Sequence, residues 1–178
     1  RRSSDLRNSI IFKVYVWEEI IMKKIISLLF MLFFSFGIFA ITDKQKSDLL
    51  FMYQEEKLAR DVYTALSREH TLPVFSNIAE SEANHMAQVE ALLNKYQIKV
   101  PKLKDGEFND KDLQNLYKKL VTEGKYSLKS ALNVGIAIED KDIADLKEKI
   151  KNAPEDIQFV YKNLLKASEN HRKAFDKF

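Results

Sequence analysis

Ile78-Ala79-Glu80-Ser81-Glu82-Ala83-Asn84-His85-Met86-Ala87-Gln88-Val89-Glu90-Ala91-Leu92-Leu93-Asn94-Lys95-Tyr96 is the stretch on which the fold turns. At helical intervals of three and four, Ile78, Glu82, His85, Val89, Leu92 and Tyr96 share one face. Four of these positions suit a core, but Glu82 does not, and His85 beside it is polar. A carboxylate inside an apolar stripe must be buried with a partner or must face a cavity. Glu82 and His85 form the spacing Glu-x-x-His, nearly one turn, so both side chains point the same way and can hold one metal ion. An isolated pair of this kind is most often a surface Glu beside a core His. The question is therefore whether the rest of the chain supplies partners.

Three other periodic segments do. A first long helix is expected over about Lys46 to Arg68, where Phe51, Met52, Leu58, Ala59, Val62, Tyr63 and Leu66 set the buried side and Glu55 and Glu56 flank it. Spacing alone does not choose between these two acids. The second helix is expected from about Ser76, as its N-cap, to Tyr96. A third runs over about Ser127 to Lys151, with Leu128, Leu132, Gly135, Glu139, Asp142, Leu146 and Lys149 in line. Two acids thus stand mid-stripe, although Glu139-Asp140-Lys141-Asp142 also reads as a solvated charge run. The fourth, after Pro154, runs to the C-terminus with Ile157, Tyr161, Leu164, Ser168, His171, Phe175 and Phe178 on one face. Between the second and third lies a long crossover, Gln97 to Tyr126, holding Pro101, Gly106, Gly124 and a short helix over about Asp110 to Thr122. A connection of that length can travel the whole height of the molecule and let the third helix run parallel to the second. The class is therefore all-α, with four long helices that each offer a ligand-type residue near a shared core.

Composition narrows the chemistry. The chain has no cysteine, which removes disulfides, iron–sulfur clusters and thiol catalysis and leaves carboxylate and imidazole as the strong metal ligands. Of 29 Lys and Arg and 26 Asp and Glu, the first 40 residues hold 6 and 3, leaving 23 of each in the remaining 138. A neutral domain without a basic stripe argues against nucleic acid as a partner. At the front, Met22-Lys23-Lys24, an apolar run from Ile25 to Phe39 and the small residue Ala40 have the order of a signal peptide over residues 22–40. Export to a periplasm or the outside is expected, with a membrane anchor through residues 25–41 as the alternative. Residues 1–21 precede that start and read as a non-native or mis-annotated extension, and 41–178 as the mature domain.

Glu56-Lys57-Leu58-Ala59-Arg60-Asp61-Val62-Tyr63 resembles the first-helix pattern Glu-x-x-Ala-Arg-x-x-Tyr of rubrerythrins, and Glu82 to His85 the second-helix motif of the ferritin-like superfamily. More closely, five runs together resemble the ferritin-like family catalogued as domain of unknown function 2202: Glu55 to Tyr63, Leu72 to Ala79, Ala131 to Gly135 with Ile138-Glu139, Asp142 to Leu146, and Asn170-His171. The resemblance covers about Leu49 to the C-terminus. It implies a ferritin-like four-helix bundle and a two-metal carboxylate site, and it favours Glu56 over Glu55. The expected ligands are Glu56, Glu82, His85, Glu139 and His171. The superfamily's second Glu-x-x-His fails because Ser168 stands at the Glu position, and Asp142, three residues after Glu139, is the expected replacement. The implied cofactors are two divalent ions, iron or manganese. The implied chemistry is oxidation of ferrous iron by oxygen or peroxide, or peroxide reduction. Without cysteines, peroxide turnover needs an external electron donor. Tyr63, two turns from Glu56, is either an electron relay or a packing residue. The rival expectation is a non-enzymatic metal-binding or interaction domain of the cell envelope, and oligomeric state stays open.

Overall fold

The computed structural model describes residues 21–25 and 41–178. The chain falls into two compact units, Arg1–Ala40 and Ile41–Phe178. In the first, only residues 21–25 are described, as helix. The expected signal peptide and anchor therefore lie almost wholly outside the described residues, as do residues 1–20. Among the described residues no helix is long and apolar enough to cross a membrane.

The second unit is all-α. Its helices are α1 (Asp43–Glu69), α2 (Pro73–Lys95), α3 (Lys111–Lys125), α4 (Leu128–Lys149) and α5 (Glu155–Phe175), with a 3-10 turn, Ile150–Asn152, ahead of α5. The starts follow from capping. Thr42 closes a capping box with Gln45, its hydroxyl accepting the Gln45 N–H while the Gln45 side chain accepts the Thr42 N–H, so α1 begins three residues before Lys46. Asp110 and Ser127 cap α3 and α4 with their side chains. Ser76 does not cap α2. Pro73 opens that helix, because a first-turn residue needs no N–H partner, and the Ser76 hydroxyl donates instead to the Pro73 carbonyl. The end of the fourth stripe also differs: α5 stops at Phe175, and Phe178, past that end, is 68% exposed. Leu128, in the first turn of α4, is exposed as well.

Two apolar clusters form the core. The first joins Leu58, Val62, Tyr63 and Leu66 of α1 to Phe75 and Ile78 of α2, Ala131, Leu132 and Ile138 of α4, and Phe175 of α5, with Leu113 and Leu120 of α3. The second joins Leu49 and Met52 to Val89, Leu92, Leu146, Ile157, Tyr161 and Leu164. Reading which half of each helix enters which cluster gives the directions. Helices α1 and α2 are antiparallel, α4 runs parallel to α2 as the long crossover allows, and α5 returns beside α1's direction. Gly135 lets α4 and α5 approach closely, since a Cβ there would meet the Phe175 ring at 2.8 Å.

Candidate metal centre

Between the two clusters each long helix presents polar residues, and they meet in one layer. Along α1, Glu55 and Glu56 stand between Tyr53 and Leu58, whereas on α2 Glu82 and His85 stand between Ala79 and Met86. On α4 the interval from Ile138 to Leu146 holds Glu139 and Asp142, and on α5 that from Leu164 to Phe175 holds Ser168 and His171. Glu56, Glu82, His85, Glu139 and Asp142 are buried, while the His171 side chain keeps 12% exposure.

Glu82 is the hub. Its Oε2 lies 2.6 Å from His85 Nδ1, and its Oε1 lies 2.8 Å from His171 Nδ1. His85 Nδ1 also lies 3.1 Å from Glu56 Oε2, and His171 Nδ1 lies 3.6 Å from Glu139 Oε1. The imidazoles face one another with centroids 5.6 Å apart. Two groups result, Glu56 with Glu82 and His85, and Glu82 with Glu139 and His171, each with ligand atoms within 4.8 Å of one another. Glu56 Oε1, Glu82 Oε1, Glu139 Oε2 and His171 Nδ1 are buried without a hydrogen-bond partner among the described residues. The Glu82 Oε1 and His171 Nδ1 atoms are thus close but not aligned as donor and acceptor. Buried polar atoms are rarely left so, and here the idle atoms are all metal-ligand types.

The electrostatics agree with the geometry. Burial pushes Glu56 up to about 8, offset in part by His85, and Glu139 up to about 7. Burial also raises Asp142, and the charges of Glu56, Glu139, Glu55 and Glu82 raise it further. Burial would lower the imidazoles, but neighbouring carboxylates outweigh it and carry His85 to about 10 and His171 to about 9. Burial likewise opposes ionisation of Glu82, yet the two imidazoles bring it down to about 2. Without metal, only Glu82 of the four carboxyls is held firmly ionised, between the two rings. Two divalent ions would balance the four carboxylates with both rings neutral.

The structure brings five of the six expected ligands into the two groups. The sixth, Asp142, is buried in the same layer but belongs to neither group. Glu55 turns away from Glu56 and accepts from Lys141 Nζ. Ser168 donates to the Leu164 carbonyl, its own helix's backbone. Tyr63 Oη donates to Glu139 Oε1 at 2.8 Å, fixing a group that spacing did not connect to it. Sequence reading also missed Lys57 and Asp61, which pair in a buried position on an adjacent face of α1, under the crossover. No local signal marks them, since Lys-x-x-x-Asp on a helix is ordinarily a surface pair.

A family model described as an uncharacterized protein domain (DUF2202) matches residues 45–178. Uncharacterized protein MJ0754 of Methanocaldococcus jannaschii is 51% identical over 138 residues, covering 76% of this chain and 75% of that protein. The crystal structure of hypothetical protein MJ0754 from Methanococcus jannaschii matches with a TM-score of 0.74 at 49% identity, over 76% of this chain and 79% of that one.

Proposed function

The chain belongs to the uncharacterized domain family DUF2202, and from that premise we propose that residues 41–178 are a ferritin-like four-helix bundle holding two divalent metal ions, iron or manganese, for redox chemistry with oxygen or peroxide. The observation that carries this reading is the sharing of Glu82, whose two oxygens reach two different imidazoles 5.6 Å apart. A single carboxylate that serves both groups is what a two-metal site asks of its centre. Glu56 and His85 would hold one ion with Glu82, and Glu139 and His171 the other, while Asp142 supplies the fourth buried negative charge. Oxygen and imidazole donors without thiolate suit these metals.

The residues around the layer have definable tasks. Glu82 holds both halves together. Tyr63 orients Glu139 by donating to it, and the apolar clusters above and below exclude water and so strengthen every charge interaction within. When bound, metals of this kind supply electrons to oxygen or peroxide. The reading of ferrous iron as substrate, or of peroxide with an external donor, rests on that chemistry and on the absence of cysteine. Export is part of the proposal and rests on Met22-Lys23-Lys24, the apolar run and Ala40.

Elemental analysis of the purified protein, followed by anaerobic ferrous loading and exposure to oxygen or peroxide, tests the reading. Two metals per chain and rapid oxidation are expected. A metal-free protein that takes up no ferrous iron would end it.

A further inference from the structure

Glu55 is not absorbed by the site. It is 2% exposed, its Oε1 accepts from Lys141 Nζ, and its Oε2 is buried with no hydrogen-bond partner among the described residues. Lys141 reaches on to Asp145 Oδ2 at 2.5 Å, and the two side chains are 48% and 25% exposed. Asp142, buried in the layer, feels the charges of both Glu55 and Glu56. By exposure, carboxylates thus run inward from the partly exposed Asp145 to the buried Glu55, Asp142 and Glu56.

A structural bridge between α1 and α4 does not account for this arrangement. Lysine is a compact, strongly hydrated point charge on a flexible stem, and a half-exposed one holds its partners weakly. It leaves one buried oxygen of Glu55 idle. A divalent cation in the same place could take an oxygen from each of Glu55 and Asp145, the idle one included. The groove between α4 and α5 offers a poorer approach, because three cations, Lys147, Arg172 and Lys173, line it against two acids, Asp140 and Glu169.

We propose that Glu55 and Asp145 form a transit site for divalent cations on their way to the buried layer, and that the Lys141 ammonium is its displaceable plug. The proposal rests on the two-metal reading above. An arriving ion displaces Lys141 into solvent, rests between Glu55 and Asp145, and passes inward to Asp142 and Glu56. Neither Glu55 nor Lys141 holds the ion at the end.

The full chain, stripped by a chelator, is mixed with Co2+ alone, and the cobalt absorption bands are followed in a stopped-flow instrument, with the bound metal counted at equilibrium. Lys141→Gln should load about tenfold faster, because a repelling charge at the mouth is gone, and Glu55→Gln about tenfold slower. The surface change Asp145→Asn, which leaves the core untouched, should slow loading by a smaller factor. All three should end with two cobalt ions per chain. Wild-type rates in Lys141→Gln and Glu55→Gln, a slower Lys141→Gln, or a lost equilibrium cobalt in either would overturn the transit role while leaving the two-metal site standing. A wild-type chain that binds no cobalt removes the site itself.

Discussion

Helix α1 carries two buried ionic clusters on adjacent faces, and they are built on opposite principles. Toward the crossover, Asp61 receives Lys57, the Arg60 guanidinium and the Gly106 N–H, while Lys57 also donates to the Lys104 carbonyl at 2.8 Å and Arg60 reaches Asp105 at 2.8 Å. Two cations meet two anions, and the Asp61 oxygens are all used. Gly106 makes this possible by taking φ +73, which aims its N–H at Asp61. Toward the core, four carboxylates surround two imidazoles and leave several oxygens idle. Burial of charge is thus no sign of function in itself. What separates the clusters is whether the charges close on one another.

The largest expected effect exploits that difference. Asp61→Ala strands Lys57 in a buried position and should cost about 3–5 kcal/mol in urea unfolding, with or without metal. Glu56→Gln replaces a carboxyl that already holds its proton below about pH 8 in the metal-free layer, so the chelated protein at neutral pH should be about as stable as wild type, while metal binding falls below two per chain. If Glu56→Gln destabilises the metal-free protein as much as Asp61→Ala does, both clusters are structural and the contrast collapses.

The inward cluster was the legible one, because a helix shows its core face locally. Glu82 and His85 interrupt a stripe that Ile78, Val89 and Leu92 define, and Glu139 and His171 do the same on α4 and α5. The outward cluster was hidden, since only the return of residues 104–108 across α1 buries Lys57 and Asp61, and that approach is long-range. The same covering explains why Glu55 and Glu56 could not be separated by spacing: α1 is buried on nearly every side from Glu55 to Ala59. The start of α2 was misread because Pro73 and Ser76 both signal a helix N-terminus, and the earlier one governs.

A second, intermediate effect is set by pH. In the metal-free layer Glu56 and Glu139, raised from 4.5 to about 8 and about 7, hold protons that the unfolded chain has released. His85 and His171, raised from 6.5 to about 10 and about 9, do so as well. The folded state binds more protons, so this contribution is complete below pH 4.5 and is lost as pH climbs toward 10. Glu82, lowered to about 2, acts the other way and only on the acid side, below about pH 4.5. The chelated protein should therefore lose stability steadily between pH 5 and pH 9. Metal ligands must be deprotonated, so the stabilisation by added metal should grow over the same range. Parallel pH curves with and without metal would show that the ions bind elsewhere.

The smallest effect lies where the apolar and polar regions touch. Tyr63 packs its ring on Phe175, centroids 5.2 Å apart, and gives its hydroxyl to Glu139 Oε1. Tyr63→Phe keeps the ring contact and removes one donor, leaving Glu139 with one fewer partner in a site where Glu139 Oε2 already has none. In the chelated protein the loss should be about 1–2 kcal/mol, the cost of one unsatisfied buried acceptor. In the metal-loaded protein the carboxylate has another positive partner, so the loss should shrink below about 1 kcal/mol and two metals should remain bound. A cost as large as that of Asp61→Ala, present with and without metal, would mean that Tyr63 closes the inward cluster as Asp61 closes the outward one. The two faces of α1 would then differ in degree rather than in kind.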